Sequence, residues 1–77
     1  MLEFEREECL NYIRYTTKNA TNTTYMHIDA NVLGVDVGVG NGGKVTFIEY
    51  LKSADIDALC AALQSAKADY EKMKGGE

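Results

Sequence analysis

The residues Gly38-Val39-Gly40-Asn41-Gly42-Gly43-Lys44-Val45 carry the densest chemical signal in this 77-residue sequence. They match three phosphate-binding patterns by spacing: G-x-G-x-x-G, G-x-x-x-x-G-K and the G-x-G-x-x-G-x-V of a kinase hairpin. The first two need a helix directly after the glycines, so that its N-terminus meets the phosphates. Here Lys44 to Leu51 alternates like a strand, and Val45 stands where a P-loop needs Ser or Thr for magnesium. A kinase hairpin does lie between strands, but it serves a catalytic lobe far longer than this chain. What remains is a set of glycine amides at Gly42 and Gly43, beside Asn41 and Lys44, suited to an anion or to a partner's carboxylate.

A second constellation is Tyr25, His27 and Asp29, which alternation places on one side of a strand. A histidine beside a carboxylate has the makings of a general base, but catalysis also needs a nucleophile or a substrate within reach. Cys9 and Cys60 fall among apolar residues on expected helices and read as buried thiols, and Ser53 reads as a helix cap. The chain is therefore expected not to be an enzyme. One histidine and two widely spaced cysteines give no metal-ligand pattern, and no cofactor is implied.

The charge balance, 8 basic against 12 acidic residues, argues against direct nucleic-acid binding, which needs a basic stripe. The acidic excess lies in Glu3, Glu5, Glu7 and Glu8, which suit the positive end of a helix dipole. No apolar run reaches the length of a membrane span, and the opening residues lack an export pattern, so a cytoplasmic location is expected. Asn19-Ala20-Thr21 and Asn22-Thr23-Thr24 then read as polar loop and not as glycosylation sites.

These groups must be positioned by one small domain over residues 1–77, since a chain of this length builds a single thin core. Leu2, Cys9, Leu10 and Ile13 suggest an amphipathic helix from Leu2 to about Thr16, with Phe4, Tyr12 and Tyr15 as an aromatic strip, and residues 16 to 24 as a loop. Tyr25–Ala30, Leu33–Val39 and Lys44–Leu51 alternate as three strands of an antiparallel meander. Ile56, Leu59, Cys60, Leu63, Ala66, Tyr70 and Met73 recur at helical spacing after the Ser53 cap, ending near Lys74 with a short flexible tail over 75–77. The expected fold class is α+β, ordered helix, three strands, helix, with both helices on one sheet face.

A two-residue turn at Asn41-Gly42 pairs Val39 with Lys44, Val37 with Thr46, Val35 with Ile48 and Leu33 with Tyr50. A five-residue loop would instead pair Val39 with Val45 and Val37 with Phe47, leaving Ile48 and Tyr50 on the face of Tyr25 and His27. Either register leaves large apolar side chains on a face that the helices do not cover, which implies an interaction surface and, most simply, a homodimer. The candidate contact residues are Tyr25, His27, Asp36, Asn41, Gly42, Gly43, Lys44, Ile48 and Tyr50. The sequence thus implies a non-enzymatic interaction module with a protein partner or a second copy. Two alternatives are a binder of a small anionic ligand such as a nucleotide at a dimer interface, and a small acidic inhibitor of a nucleic-acid-binding protein.

Overall fold

The computed structural model describes residues 2–18, 25–41 and 44–75. It contains five antiparallel strands in one sheet, in the order β1-β2-β3-β4-β5, followed by one helix. The strands are β1 Phe4–Glu8, β2 Ile13–Thr17, β3 Met26–Asn31, β4 Gly34–Asn41 and β5 Lys44–Leu51; the helix is α1 Ser53–Gly75. The last three strands and the helix lie where periodicity places them. The expected amino-terminal helix does not form, and the helix-sheet-helix arrangement is corrected to a five-stranded meander with one carboxy-terminal helix.

The physical reason lies in the pairing. Phe4, Arg6 and Glu8 alternate with Glu5 and Glu7, and they find partners in Thr17, Tyr15 and Ile13 of β2. That second strand, Ile13-Arg14-Tyr15-Thr16-Thr17, is rich in β-branched and aromatic side chains, which favour a pleated surface over a helix. The acids of β1 therefore sit on an edge strand, where charge discourages pairing with other sheets, and not at a helix terminus.

Pairing sorts the side chains into two faces. Ile13 and Tyr15, Met26, Ile28 and Ala30, Val35, Val37 and Val39, then Thr46, Ile48 and Leu51 share one side, called here the valine face. Arg14 and Thr16, Tyr25, His27 and Asp29, Asp36, Val45 and Phe47 share the other, the histidine face. Asn41 pairs with Lys44, where a turn at Asn41-Gly42 would have paired Val39 with Lys44; Gly42 and Gly43 lie outside the described residues. Up to the bulge, the partners in β5 move by two positions, giving Val39 opposite Thr46 and Val37 opposite Ile48. A two-residue shift preserves each side chain's face.

Between Val35 and Val37 the ladder breaks in a bulge, so that Val35 meets Leu51 and Leu51 joins the valine face. Tyr50 adopts φ 62°, the left-handed region, and its N–H donates to Asp36 Oδ1 at 2.9 Å. Asp36 also accepts from Asn31 Nδ2 at 3.4 Å, so its side chain fastens the bulge to the end of β3. Gly34 opposite has φ 143°, and a Cβ there would lie 2.8 Å from the Leu51 carbonyl oxygen. Tyr50→Gly is expected to raise stability by about 1 kcal/mol through release of left-handed strain. Chemical denaturation of this variant and of Tyr50→Val checks it: the β-branched residue must lower stability at the same site.

The helix begins after a single linking residue. Lys52 acts as its N-cap in place of Ser53: its N–H donates to Asp55 Oδ2 at 3.0 Å, half of a capping box, and its carbonyl accepts the first helical bond from Ile56 N at 2.9 Å. Lys52 Nζ donates to the Leu33 carbonyl across the end of the sheet. From this corner α1 runs away from the strands. Its contacts with the sheet lie at β5, Ile56 is its one half-buried residue, and every other residue from Ser53 to Gly75 is exposed.

Consequently, among the described residues no hydrophobic side chain is buried; the buried residues with polar side chains are Thr17 and His27. The expected burial of the cysteines is corrected in the same way. Cys9 lies half-buried in the β1-β2 turn, and Cys60 is exposed on α1.

Candidate functional site

The histidine face is built around β4, whose glycines leave room for side chains from both neighbours. His27 stands opposite Gly38, which in turn stands opposite Phe47. A Cβ on Gly38 would meet His27 Nε2 at 2.8 Å and Phe47 Cε1 at 2.9 Å, so the two rings close over bare backbone, their centroids 5.1 Å apart. Tyr25 completes the cover, edge-on to His27 with its hydroxyl 2.6 Å from Nδ1. The imidazole is 5% exposed although it lies on the surface of a single sheet.

Beside it, Arg14 of β2 and Asp29 of β3 face each other across the ladder and form a two-pronged ion pair, Nε to Oδ1 at 2.7 Å and Nη2 to Oδ2 at 2.9 Å. The hydrogen bonds from the guanidinium hold the Asp29 carboxyl below the usual carboxylate range, and the same bonds push Arg14 further up. His27 Nε2 is 3.8 Å from Asp29 Oδ2, beyond hydrogen-bond length, and has no hydrogen-bond partner among the described residues. Arg14 also lies 5.3 Å from the centre of the Tyr12 ring.

The register divides the expected contact residues. Tyr25, His27 and Asp36 share the histidine face, whereas Lys44 and Ile48 alternate onto the valine face. Tyr50 sits on the bulge with half its surface open, and Asn41 ends β4. An anion site joining Lys44 to His27 is therefore not assembled within one chain. Gly38 and Gly40 of the phosphate-like motif belong to β4, where Gly38 gives room to His27 and Phe47, and Gly40 donates its N–H to the Tyr25 carbonyl at 2.9 Å. Phe47 and Arg14 were not among the sequence candidates. The alternation of β5 with β4's glycines is the signal that finds Phe47; Arg14 becomes visible only once β2 is known to be a strand.

Chemically, the cluster holds an imidazole between a phenol and a carboxylate, and neither cysteine adjoins it: Cys9 lies in the β1-β2 turn and Cys60 in α1. Among the described residues no group of three His, Cys, Asp or Glu side chains is placed to hold a metal ion, and no helix is long and apolar enough to cross a membrane. The aromatic strip expected from Phe4, Tyr12 and Tyr15 is divided as well, since Phe4 and Tyr15 are on strands and Tyr12 is in the turn before β2.

The valine face is the other candidate surface. Ile48 is 59% exposed, Val39 and Thr46 are exposed and the remaining residues are half-buried, although the centre of a folded domain ordinarily hides such side chains. At one end of the sheet, Leu10 of the β1-β2 turn and Val32 of the β3-β4 turn are almost completely exposed. No family model, curated protein or solved structure matches this chain. The functional reading therefore rests on the geometry alone.

Gly38→Ala tests the histidine-face packing. The added methyl is expected to cost about 1–3 kcal/mol by overpacking, and the cost should shrink in a Phe47→Leu background, where the ring that obstructs it is gone. Equal costs in both backgrounds, measured by denaturant unfolding, would show that the His27–Phe47 closure is not what Gly38 serves.

Proposed function

We propose that the chain is a non-enzymatic interaction module that assembles with itself through the valine face and presents the histidine face to a macromolecular partner. The observation that carries this reading is the absence of any buried hydrophobic side chain among the described residues, together with one sheet face and one helix face that are both apolar and both open. Folding must offset a conformational-entropy cost of about 1–2 kcal/mol per residue, chiefly through apolar burial. A lone chain of this shape buries too little, and a second copy supplies the missing cover at the least cost in information.

The histidine face suits the outward role. Arg14 and Asp29 are locked in an ion pair, Asp36 is held by the Tyr50 amide, and the rings are held by packing on Gly38, so a partner meets a preorganised surface. Arg14, Tyr25 and Phe47 are of the residue types that dominate interface energetics. The β1 acids form one margin of this surface and steer its encounters.

Thermal unfolding at two concentrations tests the assembly reading. If folding and association are coupled, mass action raises the midpoint with concentration, by about 5 °C per tenfold for a dimer of this size at ~0.7 kcal/mol of unfolding enthalpy per residue. A midpoint that is independent of concentration over two decades contradicts it.

A further inference from the structure

We propose that α1 is an exchanged element: in a two-fold dimer, the helix of each chain lies across the valine face of the other. This deepens the self-assembly reading and rests on it. The corner at Lys52 sets the course of the helix. One residue joins β5 to α1, shorter than the usual strand-to-helix connection. That residue is tied to Asp55 and Ile56 on the helix side and to Leu33 on the sheet side. The helix therefore leaves the sheet and does not fold back over its own valine face, and cover for that face arrives from another molecule.

The surface left open has the size of such an interface. A folded monomer of 8.5 kDa has about 4,700 Å² of accessible surface by area–mass scaling, whereas this chain has 6237 Å². The excess, roughly 1,500 Å² per chain, is in the range that obligate homodimers bury. The radius of gyration tells the same story: 14.5 Å, against about 11–12 Å for a compact domain of this length.

The two surfaces also match in shape. On α1, Ile56, Leu59, Leu63, Ala66, Tyr70 and Met73 form one stripe with alternating steps of three and four residues. It is about 26 Å long at 1.5 Å per residue. The eight-residue strands β4 and β5 are also about 26 Å long. Leu63 and Tyr70 are each 60% exposed in the lone chain. The exchange is reciprocal, so one two-fold axis covers both helices and both faces without leaving an unmatched copy.

The test uses full-length chains in which Cys9 is replaced by Ser. One version keeps Cys60 on the helix; the other carries Cys60→Ser and Val37→Cys, with its thiol at the centre of the valine face, and a tag that separates the two by mass. After they are unfolded and refolded together, a short bis-maleimide is added. The expected main product joins helix thiol to sheet thiol between unlike chains, and it is lost when they are mixed in denaturant. Adducts mainly between two Cys60 thiols, with the mass still dimeric, overturn the exchange in favour of a helix-to-helix pair while leaving self-assembly intact. A chain carrying both thiols that links within itself as a monomer overturns both.

Discussion

Replacing Val37 with aspartate is expected to leave the protein at the mass of a single chain. Val37 pairs with Ile28 on one side and Ile48 on the other, at the middle of the valine face. In an assembled molecule a carboxylate there would be taken from water with no cation to meet it, at a cost of several kcal/mol. The dissociation constant should rise by at least ~10³, about 4 kcal/mol. Because a central substitution can also unfold the chain, Ile48→Lys provides the companion test. Ile48 is exposed in the lone chain, where a lysine should change stability by no more than ~0.5 kcal/mol. Across an interface it should dissociate the dimer as Val37→Asp does. Val45→Asp, on the opposite face, should leave the mass unchanged. If Ile48→Lys has the mass and stability of the parent, the valine face is not a contact.

The second large effect concerns Asp29. Its carboxylate receives both prongs of the Arg14 guanidinium, and its own surface is mostly covered. Asp29→Ala leaves the half-covered guanidinium without a partner, and a loss of about 2–3 kcal/mol is expected, as for other hydrogen bonds to charged groups. The pH dependence has a definite sign. The carboxyl titrates lower in the folded chain than its ordinary value of 3.8, so the folded state binds its proton less readily than the unfolded one. The pair's contribution is complete above about pH 4 and fades as pH falls below that value. Unfolding free energies measured from pH 6 to pH 2 should show this decline, and Asp29→Asn should flatten it. A variant that keeps the parental slope would place the acid sensitivity in other carboxylates.

Much of the fold was legible where burial imposes a period. The alternation of Met26-His27-Ile28-Asp29-Ala30 and of Val35, Val37 and Val39 reports a sheet with one apolar side, and the step pattern from Ile56 to Met73 reports a helix with one apolar side. The amino-terminal hairpin was not legible. β1 is an edge strand of a single sheet, so Glu5 and Glu7 alternate with Arg6 and Glu8, and polar against polar carries no period. The four apolar residues Leu2, Cys9, Leu10 and Ile13 fit a helix only because Cys9 and Leu10 sit together in what is a turn.

For the candidate site, the face of each side chain was more readable than its partner. Pairing Lys44 with Asn41 in place of Val39 changes every β4-β5 pair but leaves Phe47 with Gly38's side and Ile48 with Val37's side. The bulge at Tyr50 was hidden, because its cause is a side chain two strands' breadth of sequence away: Asp36 accepting the Tyr50 amide. Periodicity also does not say which molecule covers an apolar stripe. On the exchange proposal, that information resides in the single residue between β5 and α1.

On the self-assembly proposal, one chain does not complete its own core. Light scattering coupled to size-exclusion chromatography, at several protein concentrations and two salt levels, addresses it directly. Assembly through apolar faces predicts twice the 8.5 kDa chain mass, with little response to salt. A mass of 8.5 kDa at every concentration, with cooperative unfolding retained, would contradict it.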